Sequence, residues 1–285
     1  MAGQRPAREL ADQYTVDVLV LAECRLSEAT LLNSLNAGKA ADFHFTQSEC
    51  PALKMFTRFS GVYLEEVAHD QRASIRRMRL PAREEVLFVA AHLPSKMYAN
   101  DRDQELRCEH TGQMIYHAEE AIGHQRTLLV GDLNLNPFEK GVVMASGLHA
   151  AMTKAIARER ERTVSGKQYR YFYNPMWGHF GDRTPGPPGT YYYSRGADVS
   201  YFWHMFDQVL FRPDLIERFD DETLQVLAAA GSTPLIGRNG RPTPSDHLPI
   251  SFKLNLWGSY RWRPYKTCGR KKLRPCQRKG RPERS

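Results

Sequence analysis

No apolar run in the 285 residues approaches the roughly 20 that a membrane-spanning helix requires. The opening "MAGQRPAREL" places no apolar stretch behind its basic residues, so no signal peptide is expected. Cysteine is scarce. The five residues, Cys24, Cys50, Cys108, Cys268 and Cys276, are scattered, odd in number and never in a CxxC spacing. That argues against a structural zinc site and fits reduced thiols in a cytoplasm. No internal repeat is present.

Acidic residues are nearly missing from one end. Residues 253–285 hold 12 Lys and Arg and a single acid, Glu283, whereas the first 252 residues hold 28 basic and 31 acidic side chains. The net charge of +8 therefore belongs to the tail. A near-neutral body with a basic end reads as a domain with an appended contact for polyanions. The plainer alternative is a solvated end with no partner. Residues 1–257 are taken as the domain and 258–285 as a basic tail of low order.

What is present supports a sizeable core, with 41% hydrophobic residues and 11% aromatics. Residues 5–14 suit a helix, "VDVLVLAEC" a buried strand, and "LSEATLLNSLN" a helix with Ser27 as its N-cap. Strands are expected at "GVYLEEVA", "SIRRMRLPA" and "EEVLFVAAHL", a helix over 101–121, then a strand over 127–130. The region from "GVVMASG" to "MTKAIARE" reads as helical, and 169–193 as irregular and aromatic. "FDQVLF" and "LPISFKLNL" close the domain as strands. Adjacent strands mixed with helices point to an α/β sandwich rather than a regular βαβ array.

Five strands end with, or carry near an end, a charged or imidazole side chain. They are "VLVLAE" at Glu23, "LFVAAH" at His92, "LLVGDLN" at Asp132 and Asn134, "FDQVLF" at Asp207, and "PSDHLPI" at Asp246 and His247. One such residue is ordinarily a satisfied turn residue. Five together are not, because a charge near a core is costly unless paired or metal-bound. Asp132 and Asn134, as alternate residues, would share a face. Hard oxygen ligands such as Glu23 and Asp246 suit Mg²⁺ beside a phosphate ester. Asp132 could deprotonate a water and Asn134 position the phosphate. His247 aligned by Asp207, with His92 as a second donor, could stabilise the developing charge.

These residues, in this order, resemble the endonuclease/exonuclease/phosphatase family, whose marks are an early Glu at a strand end, a middle His or Tyr, G-D-x-N, a later Asp beside a strand, and S-D-H. The resemblance runs from about Asp17 to Leu256. It implies a four-layer α/β/β/α sandwich of two mixed sheets and Mg²⁺- or Mn²⁺-dependent cleavage of phosphate esters. It makes Glu23 a metal ligand, Asp132 the water-activating carboxylate, Asn134 and His92 phosphate contacts, and Asp207–His247 the transition-state pair. The family also opens with a strand ending in Asn, commonly Trp-Asn. This chain has no Asn before Asn33, so a domain lacking that strand is expected.

Three functions remain open at this point. One is a monomeric phosphodiesterase acting on nucleic acid. Another is an impaired remnant or nucleic-acid-binding protein working through the tail, and the third is a phosphatase of a small-molecule or lipid phosphate. The aromatics of 169–193 with Arg170, Arg183 and Arg195 would suit base stacking and backbone contact. Core packing of Tyr191, Tyr193, Trp203 and Phe206 is the competing role.

Overall fold

In a computed structural model the protein is described over residues 4–38, 42–97, 100–194, 198 and 200–257. The basic tail and Arg195 lie outside those residues. Helix α1 (Gln4–Gln13) carries Ala7, Leu10 and Ala11 at helical spacing, and Ala7 and Ala11 are buried. Strand β1 (Val18–Ala22) follows, then α2 (Glu28–Leu35), where Ser27 Oγ accepts the Thr30 N–H at 3.2 Å as the predicted cap. With β2 (His44–Thr46) and β3 (Leu53–Thr57), β1 forms an antiparallel sheet in the order β1-β3-β2.

Next come β4 (Leu64–His69), β5 (Ala73–Met78) and β6 (Val86–His92). Helix α3 (Asp101–Ile122) starts at a reciprocal Asn100–Asp103 capping box and stops at the left-handed Gly123. It leads into β7 (Thr127–Asp132), parallel to β6. At Gly131 a Cβ would lie 1.8 Å from the Ala91 carbonyl oxygen, so only glycine lets these two strands pair at their functional ends.

The long helical stretch expected after residue 140 is not there. It divides into α4 (Lys140–Val143), β8 (Ala150–Ala151) and α5 (Lys154–Ala157), each helix a single turn. The reason is close backbone approach. A Cβ on Gly147 would meet the Gly141 carbonyl at 2.2 Å, and one on Gly112 of α3 would meet the Gly147 carbonyl at 2.5 Å. The chain doubles back against α3 where a straight helix could not fit.

A hairpin of β9 (Glu161–Val164) and β10 (Lys167–Arg170) precedes β11 (Phe172–Tyr173). The aromatic region contributes a 3₁₀ turn at Pro175–His179 and the short ladder of β12 (Tyr191–Tyr192) with β13 (Trp203–His204). Then follow β14 (Asp207–Phe211), β15 (Phe219–Val226), the small pair β16 (Ala229–Ala230) and β17 (Thr233–Pro234), and β18 (Ile250–Leu254). The main sheet is mixed and seven-stranded, β4-β5-β6-β7-β14-β11-β8.

Alternation along β6 explains the layering. Val86, Phe88 and Ala90 face a core shared with Met55, Val209, Phe219 and Leu248, while Leu87, Val89 and Ala91 face α3 through Cys108 and Ile115. Both faces of the strand are covered, so all seven residues are buried. On the far side, Phe56 packs with Ala11, Leu31 and Leu35 of α1 and α2. The layers thus run α3, main sheet, second sheet layer, α1–α2, which is the expected four-layer α/β/β/α sandwich. The second layer comes as two antiparallel pieces, β1-β3-β2 and β15-β18. No strand precedes β1 among the described residues, and β1 and β18 are each paired on one side only. Cys24, Cys50 and Cys108 are free thiols. Among the described residues no helix is long and apolar enough to cross a membrane.

Candidate active site

Three neighbouring strands of the main sheet deliver the first three functional side chains in one row. Asp132 ends β7, with His92 of β6 as its register partner on one side and Asp207 of β14 on the other. The second layer supplies the rest. Glu23 follows β1 in a left-handed conformation (φ 50°), and His247 lies before β18, bridged antiparallel to Tyr191. Five of the strand-end residues singled out in the sequence, Glu23, His92, Asp132, Asp207 and His247, therefore converge, as does Asn134.

The distances describe a compact acid–base cluster. His247 Nδ1 lies 2.8 Å from Asp207 Oδ2, and its Nε2 faces Asp132 Oδ2 at 3.9 Å. His92 Nε2 sits 3.7 Å from the same Asp132 oxygen and 3.4 Å from Glu23 Oε1. Asp132 is 7% exposed. Burial is the main reason its carboxyl is pushed up to about 7, with the Asp207 charge adding and His247 opposing. Burial pulls His247 down, yet the Asp207 charge and hydrogen bond, with Asp132 and Asp246 behind them, carry it up to about 9. His92 is pushed below the usual imidazole range by burial, against the pull of Glu23. The result is a protonated imidazole and a neutral one on either side of a carboxylate that titrates near neutrality.

Asn134 reaches Asp132 by a different route from the alternation expected of a strand. The strand stops at Asp132, and Asn134 occupies a left-handed turn (φ 51°). Its N–H donates to Asp132 Oδ1 at 2.8 Å, and its amide nitrogen donates to Leu93 O at 2.8 Å and Asp132 Oδ2 at 3.1 Å. The amide hydrogens that would meet a phosphate are engaged with the Leu93 carbonyl and with Asp132. The turn itself is pinned by buried amides that sequence reasoning missed. Gln104 of α3 donates to the Asn134 carbonyl, Gln208 donates to the Leu135 carbonyl, and Asn136 Oδ1 accepts the Met205 N–H. Thr190 Oγ1 accepts the N–H groups of Phe206 and Asp207, fixing the start of β14. Tyr191, 4.8 Å from the His247 ring, is a further neighbour that its sequence context does not mark as a site residue. No motif links these positions, because they meet only through the fold.

Asp246 lies beside His247, before β18. It is exposed, and its charge is felt by His247 and Tyr191. Among the described residues no three His, Cys, Asp or Glu side chains gather into a ready-made metal site. The donor set nevertheless fits a hard cation that keeps most of its own waters. Glu23 offers a side chain 79% exposed beside the buried Asp132, and the cluster carries more carboxylates than cations. Of the aromatics proposed for the core, Phe206 is buried, Trp203 half-buried and Tyr193 exposed.

No family model and no curated protein matches the chain. Solved structures do. A truncated TDP2 from Caenorhabditis elegans aligns with a TM-score of 0.51 and 15% identity over 88% of this chain and 89% of its own. A humanized D. rerio TDP2 carrying 14 mutations aligns with a TM-score of 0.50 and 17% identity, over 88% of this chain and 91% of its own. At such identity the likeness is one of architecture, and it agrees with the layer order: the chain shares the fold of these TDP2 structures, which is the α/β/β/α sandwich expected from the sequence resemblance.

Proposed function

We propose that the protein hydrolyses phosphodiesters, with nucleic acid as the substrate class, in a reaction dependent on Mg²⁺ or Mn²⁺. One observation carries this reading: a buried carboxylate flanked by two histidines, with a second carboxylate bonded to the protonated one. Asp132, titrating near neutrality, takes a proton from the attacking water. His247, held protonated by Asp207, donates to the phosphoryl oxygen as negative charge builds in the transition state. His92, kept neutral by burial, contacts a second phosphate oxygen. Asn134 orients Asp132. Glu23 would hold the cation, which would supply charge neutralisation at the phosphate.

The test is hydrolysis of a labelled oligonucleotide, with a phosphomonoester and an inositol phosphate as comparisons. Asp132→Asn and His247→Gln are each expected to lower kcat by about 10²–10⁴-fold while the protein still unfolds in a single cooperative thermal transition above the assay temperature. Preferential turnover of the small phosphates by the parent protein would refute the assignment, as would variants that cleave the oligonucleotide normally.

A further inference from the structure

The loop after the reaction centre carries a ring whose exposure the chemistry above does not use. Phe138 lies six residues beyond Asp132 on the pinned turn and is 36% exposed. Its ring sits 5.4 Å from Tyr201, 6.1 Å from Trp177 and 5.9 Å from Phe180. Three separate segments thus bring aromatic rings to one spot, and Tyr201 is 58% exposed there.

That cluster is not an isolated patch. From Tyr201 the rings continue to His204 at 5.9 Å, to Phe206 at 4.8 Å, to Tyr191 at 5.3 Å and to the His247 imidazole at 4.8 Å. The inner members are packed; Phe206 is only 9% exposed. The outer members open to solvent. Hydrogen bonds also tie the line to the turn that follows Asp132, since Asn136 contacts both Glu139 and His204, and Lys96 pairs with Glu139.

We infer that Phe138 and Tyr201 form a stacking platform for an unpaired nucleobase on the strand whose phosphate occupies the Asp132–His247 site. The inference rests on the phosphodiesterase reading for the position of that phosphate. Continuity with the site selects the occupant. A nucleic-acid chain seated at the reaction centre carries a flat ring on every unit, and exposed aromatics accept such rings without regard to sequence. A base inside a duplex has both faces covered, so the platform favours single strands or frayed ends.

Fluorescence anisotropy on the full chain separates base stacking from attraction to the phosphate backbone alone. The probes are a fluorescein-labelled single-stranded oligonucleotide and an oligomer of equal length and charge with abasic linkers. The parent protein is expected to bind the base-bearing strand about tenfold or more tightly than the abasic one. The Phe138→Ala/Tyr201→Ala double variant should lose that preference while its affinity for the abasic strand stays unchanged. Phe138→Trp, which keeps a flat ring, should retain it, and thermal melting checks that each variant folds. No preference in the parent overturns the platform, and so does an equal loss on both probes. Cleavage, scored in a separate assay, reports on the phosphodiesterase reading, so a protein that prefers bases yet never cleaves fails only that reading.

Discussion

Replacing Asp207 with Asn tests the electrostatic core of the site, because it removes one charge and leaves the shape. The carboxylate lies 2.8 Å from His247 Nδ1, and neither side chain is more than a quarter exposed. His247 is carried from an ordinary 6.5 to about 9. That gap corresponds to about 3 kcal/mol of interaction favouring the protonated ring. Asp207 is the foremost favourable contributor, with Asp132 and Asp246 supplying the remainder, so its removal should withdraw about half or more, ~2–3 kcal/mol. The sign follows from proton linkage. A histidine raised in the folded state stabilises it fully below pH 6.5, and the contribution fades as pH rises through about 9. Asp207→Asn should therefore destabilise the protein at pH 6–7 and converge on the parent near pH 10. A smaller opposing effect accompanies it, since loss of the Asp207 charge relieves Asp132 and lets its carboxyl titrate lower. Imidazole NMR in metal-free buffer, with His247→Gln to assign the resonance, should show the His247 titration moving down by about 1–2 pH units. In turnover, the alkaline limb of the pH profile should move with it. A ring that still titrates near 9 in Asp207→Asn would refute the reasoning. So would a stability gap that stays constant up to pH 10.

Glu119→Ala should be severe despite its distance from the site. Glu119 is fully buried, accepts from Arg212 Nε at 2.8 Å, Arg170 Nη1 at 3.0 Å and Thr127 Oγ1 at 2.6 Å, and ties α3 to the main sheet. Its loss strands the buried Arg212 guanidinium and should destabilise by about 3–5 kcal/mol in urea unfolding; a change below about 1 kcal/mol would contradict this. His149, 3% exposed and stacked on Tyr171 at 4.0 Å, is held down to about 4 by burial, with Arg162 adding. A base lowered in the folded state loses stability as pH falls from 6.5 to about 4, here by up to about 3 kcal/mol. His149→Gln should flatten that acid limb in thermal melts, and a limb that persists unchanged would show that other groups set it.

Much of this protein is legible in one dimension because its periodic segments are unambiguous. The apolar run at 86–92 marks a strand, and Ser27 announces the helix it caps. The side chains able to do the chemistry were visible too, as charges that recur where apolar runs end. Other elements escaped for definite reasons. β15 reads as polar because its Asp220, Asp221 and Glu222 face solvent around a register irregularity, and the broken helices after residue 140 depend on glycine contacts with α3 that no local pattern records.

The sequence by itself determined which residues carry charge at strand ends and the polarity pattern that buries one strand between two cores. Only the tertiary structure decided that His92, Asp132 and Asp207 share one register row and that His247 reaches Asp207 across 40 residues. Tertiary structure alone likewise committed Asn134 to its neighbour and brought Phe138 to Tyr201. The physical reason is the reach of each kind of information. Periodicity and capping act over a few residues, whereas strand register, burial and the resulting proton affinities exist only once distant segments exclude water from one another.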